Sequence, residues 1–364
     1  MPKLTDPVSF RCGLVSKNRV ALAALTNQQS EEDGTLSRDE ESWLLRRAAG
    51  GFGIVTTCAS HVSASGKGFD GQLGIYADGQ LPRLTELASG IRERGALGLV
   101  QLYHGGVRSP SRLTGTQPLS ASSFQEAREG FEVPRAATLQ EISGIIEDFV
   151  GAGVRAKRAG FAGVELHGAH GYLLSQFLSR EMNTRTDEWG GPIESRARIL
   201  REITRRLRAA VGEGFAIGVR LSPEDYGFAR GLDLDETVAV AAMLAEDGVD
   251  FVHLSLWDFR SRSKKRPEEH ALPLFRAAVP RSVPLVAAGK IWTSEDAEEV
   301  LALGADVVAL GRAAILNPDW PIEHTREGWQ PRRGPLTPAE YAELAVSPRF
   351  ATYLKRFPNM VAQD

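Results

Sequence analysis

The stretch PLVAAGKIWTSEDAEEVLALGADVVALGR, residues 284–312, sets two short apolar runs on either side of a helical segment. Pro284–Ala288 and Val307–Leu310 are continuous rather than alternating, as strands covered on both faces require. Ser294, with Glu295 and Asp296 behind it, opens the helix, its acids placed where the helix dipole favours negative charge. Each run ends in a glycine and a cation: Gly289 with Lys290, and Gly311 with Arg312.

The same unit recurs along the chain. Val20–Leu25, Gly53–Thr57, Leu97–Leu102, Gly163–His167, Ala216–Arg220 and Phe251–Ser255 are further apolar runs, each followed by an amphipathic stretch. Ser37-Arg-Asp-Glu40 and Thr138-x-x-Glu141 open two of those stretches as capping boxes, the second running to about Lys157. Eight strand–helix alternations specify an α/β fold, a closed (β/α)8 TIM barrel. A doubly wound sheet is the alternative, but no strand is followed by GxGxxG and no GxxxxGK[ST] occurs. Residues 103–134 are too long for a simple connection and follow the third strand, which places a capping or lid excursion on the catalytic face. The expected organisation is one barrel domain over residues 1–335 and a helical, peripheral tail over residues 336–364.

Composition narrows the function classes. Among 364 residues, 42% are hydrophobic and 24% charged, so a large core forms and disorder is not expected. A net charge of −3 argues against nucleic acid as a partner. No apolar run approaches the ~18 residues of a membrane span. The start MPKLTDPVSF has no charged-then-apolar pattern of a signal peptide. Cys12 and Cys58 alone build neither a disulfide framework nor a zinc site. The expected compartment is the cytoplasm.

Barrel chemistry sits at the C-terminal strand ends. Those ends are Thr26, Ala59, Gln101, His167, Arg220, Ser255, Gly289 and Gly311. The glycines, with Lys290 and Arg312, are either tight turns or a phosphate site after strands seven and eight. In Glu165-Leu-His-Gly-Ala-His-Gly-Tyr172, alternation points Glu165 and His167 the same way. His167 and His170 have three readings: a metal pair, satisfied structural histidines, or two donors converging on a substrate oxygen with Tyr172 as proton source. No spaced third ligand supports a metal, and none is expected. Gln101 can pair with an amide–imide edge and Arg220 can stabilise negative charge on a ring. With a phosphate site, they suggest flavin mononucleotide across the barrel mouth. The run Arg260-Ser-Arg-Ser-Lys-Lys-Arg266 is either a solvated loop or an attractor for the 2′-phosphate of NADPH.

These residues resemble the old yellow enzyme family of FMN-dependent NADH:flavin oxidoreductases and ene-reductases, over roughly residues 5–325. The most specific piece is ELHGAHGYLLSQFLSREMNTRTDEWGGPIESRARIL, residues 165–200. The resemblance implies that Ala23, Ala24, Leu25, Thr26 and Ala59 line the flavin and Gln101 bonds its pyrimidine edge. It places Arg220 near N1 and O2, and Gly289, Lys290, Gly311 and Arg312 at the phosphate. His167 and His170 would bind the substrate carbonyl oxygen, His167 also touching the flavin, and Tyr172 would protonate the α-carbon. FMN is the implied cofactor, NADPH or NADH the reductant, and an enone-type small molecule the substrate, in a monomer or homodimer.

The chain also departs from the family pattern. Thr26 and Gln28 stand where one branch has cysteine and tyrosine, so that branch's sulfur and tyrosine clamp are not expected. Gln101-Leu-Tyr-His-Gly-Gly-Val107 displaces the motif's basic residue to Arg108, onto which no role is carried, and His104 is read as structural. SPRFATYLKRF does not clearly match tails that complete a neighbouring subunit's site. Competing activities are a 2,4-dienoyl-CoA reductase, a demethylase-like flavoenzyme and a non-catalytic flavin-binding protein.

Overall fold

In the computed structural model, which describes residues 2–127 and 129–362, the apolar runs become eight parallel strands. They are β1 (Val20–Leu22), β2 (Ile54–His61), β3 (Leu97–Tyr103), β4 (Gly163–Gly168), β5 (Ala216–Leu221), β6 (Phe251–Ser255), β7 (Leu285–Ala288) and β8 (Val307–Leu310). Each pairs with its sequence neighbours, and β8 pairs with β1 to close the barrel. No sheet edge is left in it.

The strands carry two apolar faces, which is why their sequences do not alternate. Outward residues such as Val55, Val100, Val164 and Leu254 join the core under the helices. Inward residues such as Ala21, Leu99, Phe251 and Val307 fill the barrel. Gly218 exists for that filling: a Cβ there would lie 2.0 Å from the Phe251 ring. An antiparallel hairpin, Val8–Ser9 with Val15–Ser16, plugs the N-terminal end, where Phe10 meets Phe251 edge-on at 5.9 Å.

Helix start signals resolve individually. Thr138 caps α2 (Leu139–Arg158) with a full capping box to Glu141. Ser37 caps α1 (Arg38–Ala49), but the Glu40 side chain turns away to accept from Asn27 and Ser30 in a buried cluster. Ser294 is the first residue of its helix, Ser294–Ala302, and Thr293 is the cap.

Two boundaries differ from the sequence expectation. β1 ends at Leu22, and residues 23–29 run on without strand pairing. β2 continues to His61 through a register shift between Thr56 and Ala59, which sets Ala59 opposite Gln101. A bulge re-aims side chains at a barrel rim in this way. Between β3 and α2 the chain makes a short helix, Ser111–Thr114, and a two-residue ladder of Leu119–Ser120 with Arg135–Ala136. The C-terminal helices Pro338–Glu343 and Pro348–Leu354 fold back onto the barrel. Phe350 meets Trp43 of α1, and Ser347 bonds Gln29 at 2.6 Å, so this tail is not peripheral. No helix among the described residues is long and apolar enough to cross a membrane.

Candidate active site

The strand ends open onto two adjoining cavities of about 560 and 210 Å³. Leu25, Arg220, Trp257, Lys290 and Arg312 line both. Ala24, Thr26, Ala59, Gln101, His167, His170 and Tyr172 line the larger one; Ala23, Gly289 and Gly311 line the smaller one. All fourteen residues singled out from the sequence therefore stand on one continuous wall.

Its floor is polar and buried. Gln101 Nε2 donates to Glu165 Oε1 at 2.7 Å, and His253 Nδ1 faces Glu165 Oε2 at 2.7 Å. Arg220 donates to Ala24 O at 3.3 Å and to Ser255 Oγ at 3.2 Å, while its Nε has no hydrogen-bond partner among the described residues.

One wall is aromatic. His167 and His170 stand perpendicular with ring centroids 5.0 Å apart; Tyr172 lies 5.0 Å from His167 and 6.5 Å from His170. The two imidazoles are held differently. His170, with its backbone in the left-handed region at φ 61°, bonds Ser255 Oγ through Nε2 at 2.6 Å. His167 Nδ1 is buried without a partner among the described residues. Burial, reinforced by the charge of Arg220, holds both imidazoles well below their ordinary pKa, so both are neutral at pH 7. Burial pushes the Tyr172 phenol up against the opposing charges of Arg108 and Arg220, which keeps its proton on. A neutral imidazole offers one N–H and a bare nitrogen, so this wall supplies hydrogen bonds and one phenolic proton.

The far end is cationic. Lys290, at φ 52°, reaches Asp258 at 3.0 Å, and the Arg312 guanidinium lies 6.0 Å from the Trp292 ring. A Cβ on Gly311 would meet only Leu25, at 3.4 Å, so that turn leaves open space beside the cations.

Some of the site escaped the sequence reading. Tyr353, Leu354 and Phe357 of the tail line the larger cavity, with the Tyr353 phenol beside the Thr26 hydroxyl. Trp257, 61% exposed, stands at the rim on left-handed backbone at φ 58°. Its place just past the end of β6 is the one signal that could have marked it. His253 could have been found by its two-residue step from Ser255. The 260–266 loop carries paired charges: Lys265 meets Asp233 and Asp235, Arg266 meets Asp235 and Glu269, and Arg260 meets Asp296. The distinctive segment after the histidines stays out of the cavity. Asn183 Nδ2 ties Phe177 O to Trp189 O, and Arg185 Nη1 bonds Ala121 O and Ala137 O, locking loops together. Among the described residues, no His/Cys/Asp/Glu cluster could hold a metal.

The donor set fits FMN. Arg220 Nε is a buried donor without a partner, Gln101 is an amide facing the cavity, and Lys290 and Arg312 match a phosphate across the narrow end. Comparison with known proteins agrees. Residues 3–328 match the NADH:flavin oxidoreductase / NADH oxidase family. A probable NADH-dependent flavin oxidoreductase of Bacillus subtilis is 37% identical over 89% of this chain and 88% of its own length. The old yellow enzyme homologue of Zymomonas mobilis superposes with a TM-score of 0.83 at 29% identity, covering 94% of this chain and 99% of that one. Morphinone reductase in complex with tetrahydroNAD gives 0.81 at 28%, covering 96% and 97%. Some relatives are longer: the chain spans 34% of an NADH:acrylate oxidoreductase of Vibrio harveyi, at 33% identity over 95% of itself. The chain belongs to the NADH:flavin oxidoreductase / NADH oxidase family and is an FMN-dependent NAD(P)H oxidoreductase of the old yellow enzyme type.

Proposed function

We propose that the protein reduces the activated C=C bond of α,β-unsaturated carbonyl compounds. One observation carries this reading: two neutral imidazoles and a protonated phenol share one wall of the cavity, with all three ring centroids within 6.5 Å. Hydrogen bonds from His167 and His170 would hold the carbonyl oxygen and draw electrons from the alkene, strengthening as negative charge grows on that oxygen. His170 would turn from Ser255 to do so, or Ser255 would stay as the partner that orients it. Tyr172 would give its proton to the α-carbon, its site shielded from water by Tyr353, Leu354 and Phe357. When bound, FMN supplies the hydride transfer, from NAD(P)H and on to the β-carbon. Ala23, Ala24, Leu25, Thr26 and Ala59 would pack its ring, Gln101 and Arg220 would bond the pyrimidine edge, and Gly289, Lys290, Gly311 and Arg312 would hold its phosphate.

The test is anaerobic. Holoprotein bleached by one equivalent of NADPH or NADH should regain its yellow colour on adding 2-cyclohexenone, with cyclohexanone formed one for one. Recolouring by oxygen or quinones alone would refute the alkene reading and leave only a flavin oxidoreductase.

A further inference from the structure

Glu165 lies at the floor of the site, 2% exposed, on the same face of β4 as His167. Both its oxygens are engaged, one by Gln101 Nε2 and one by His253 Nδ1, each at 2.7 Å. The carboxyl stays below its ordinary pKa although burial alone would raise it, because the hydrogen bonds from His253 and Gln101 and the charge of Arg220 outweigh burial. An ionised carboxylate only accepts hydrogen bonds. It therefore compels Gln101 to present its NH2 to the floor, and it compels His253 to carry its proton on Nδ1. His253 Nε2 is left buried without a partner among the described residues.

We propose that Glu165 is a positioning residue: by taking the amide NH2 of Gln101, it fixes the carbonyl oxygen of that amide toward the cavity and sets its hold on FMN. The chemistry of the ligand makes the orientation matter. A flavin's pyrimidine edge carries one N–H between two carbonyls. A carbonyl from Gln101 accepts that N–H, whereas a flipped amide would oppose donor to donor. The flipped amide would also turn its oxygen onto the Glu165 carboxylate, so the floor excludes it twice over. Glu165 also places a negative charge within electrostatic reach of Arg220, moderating the field that favours the reduced cofactor.

This inference rests on Gln101 meeting the pyrimidine edge, and the experiment separates the two. Apoprotein of wild type, Gln101→Leu, Glu165→Asp, Glu165→Gln and the double variant Gln101→Leu/Glu165→Asp is titrated with FMN, and the midpoint potential of each holoprotein is measured. Gln101→Leu should raise the FMN Kd about tenfold. Glu165→Asp keeps the charge but withdraws the carboxylate by one methylene; it should raise Kd at least fivefold alone and less than twofold in the Gln101→Leu background. Glu165→Gln removes the charge; it should favour reduced over oxidised FMN about tenfold, a rise of about 30 mV for a two-electron couple. If Gln101→Leu leaves Kd unchanged, the placement of Gln101 fails and this inference with it. If Gln101→Leu weakens binding but Glu165→Asp does not, or if their effects multiply, only this inference fails. Should neither Glu165 variant give soluble protein, His253→Gln loosens the carboxylate from its other side. It should weaken FMN at least threefold in wild type and less than twofold with Gln101→Leu; equal effects in both backgrounds would overturn the proposal.

Discussion

Lowering the pH from 7 to 5 should remove about 4 kcal/mol of folding stability through two histidines alone. Burial drives His61 from its ordinary 6.5 to about 4 and His104 from 6.5 to about 3. Both are therefore neutral in the folded chain and titrate near 6.5 once unfolded. Between the folded and unfolded values the unfolded state binds more protons, so stability is complete above 6.5 and falls as the pH drops below it. At pH 5 each residue contributes a loss of about 2 kcal/mol. The direction is shared by all seven histidines, since burial also lowers His167, His170, His253, His270 and His324. Glu40 opposes it: burial raises its carboxyl, so it favours the folded state as the pH falls. A depressed carboxylate such as Glu141, held at about 2 by Arg135, loses its contribution mostly below pH 5 and so adds little here. The assay is urea unfolding of the holoprotein at pH 7 and pH 5, followed by tryptophan fluorescence. His104→Gln, which keeps an acceptor near the Gly106 N–H, should shrink the pH 7 to pH 5 difference by about 2 kcal/mol. Equal stability at both pH values, or the same pH dependence in the variant, would refute the reasoning.

Three further outcomes follow from the site. Arg312→Ala should weaken FMN binding about 10- to 100-fold, with a smaller loss for Lys290→Ala because Asp258 already shares that ammonium; titrating apoprotein at low and high salt checks both, and the differences should narrow at high salt. Neutralising Lys265 and Arg266 together should change KM for NADPH and NADH alike, by less than about twofold, since both cations are committed to surface acids; steady-state kinetics with each nucleotide decides it. His167→Ala should slow enone reduction about 10²- to 10³-fold and weaken the long-wavelength band formed with 4-hydroxybenzaldehyde, while the protein stays yellow.

The barrel was legible because parallel strands buried on both faces leave continuous apolar runs, and Val307–Leu310 and Phe251–Ser255 have the same limits in the structure. The hairpin at Val8–Ser16 was not, because two-residue strands leave no period to read. Within the site, residues at strand ends could be named one by one, since the fold assigns that position to chemistry. What joins them could not. Glu165 and His253 are 88 residues apart, and nothing in either segment announces the other. Ser255 was placed at its strand end, but not as the shared partner of His170 and Arg220. The tail reads as peripheral in the sequence because its Tyr353 and Phe357 gain meaning only when Phe350 docks on Trp43. The choice between the two readings of the basic loop is not legible in the sequence, because its acidic partners, Asp233, Asp235 and Asp296, lie on other segments.

Tyr172→Phe tests the central claim most directly, with each half of the reaction followed by anaerobic stopped-flow absorbance. Phenylalanine keeps the ring between Tyr103 and His167 but removes the phenolic proton that Tyr172 holds beside both histidines. The account predicts that bleaching by NAD(P)H stays within about twofold of wild type, while recolouring by 2-cyclohexenone slows about 10²-fold or more. Nitroalkenes, whose anions persist without immediate protonation, should lose less. If bleaching and recolouring slow equally, or if recolouring is unaffected, Tyr172 is not the proton donor and the proposed division of labour on this wall is wrong.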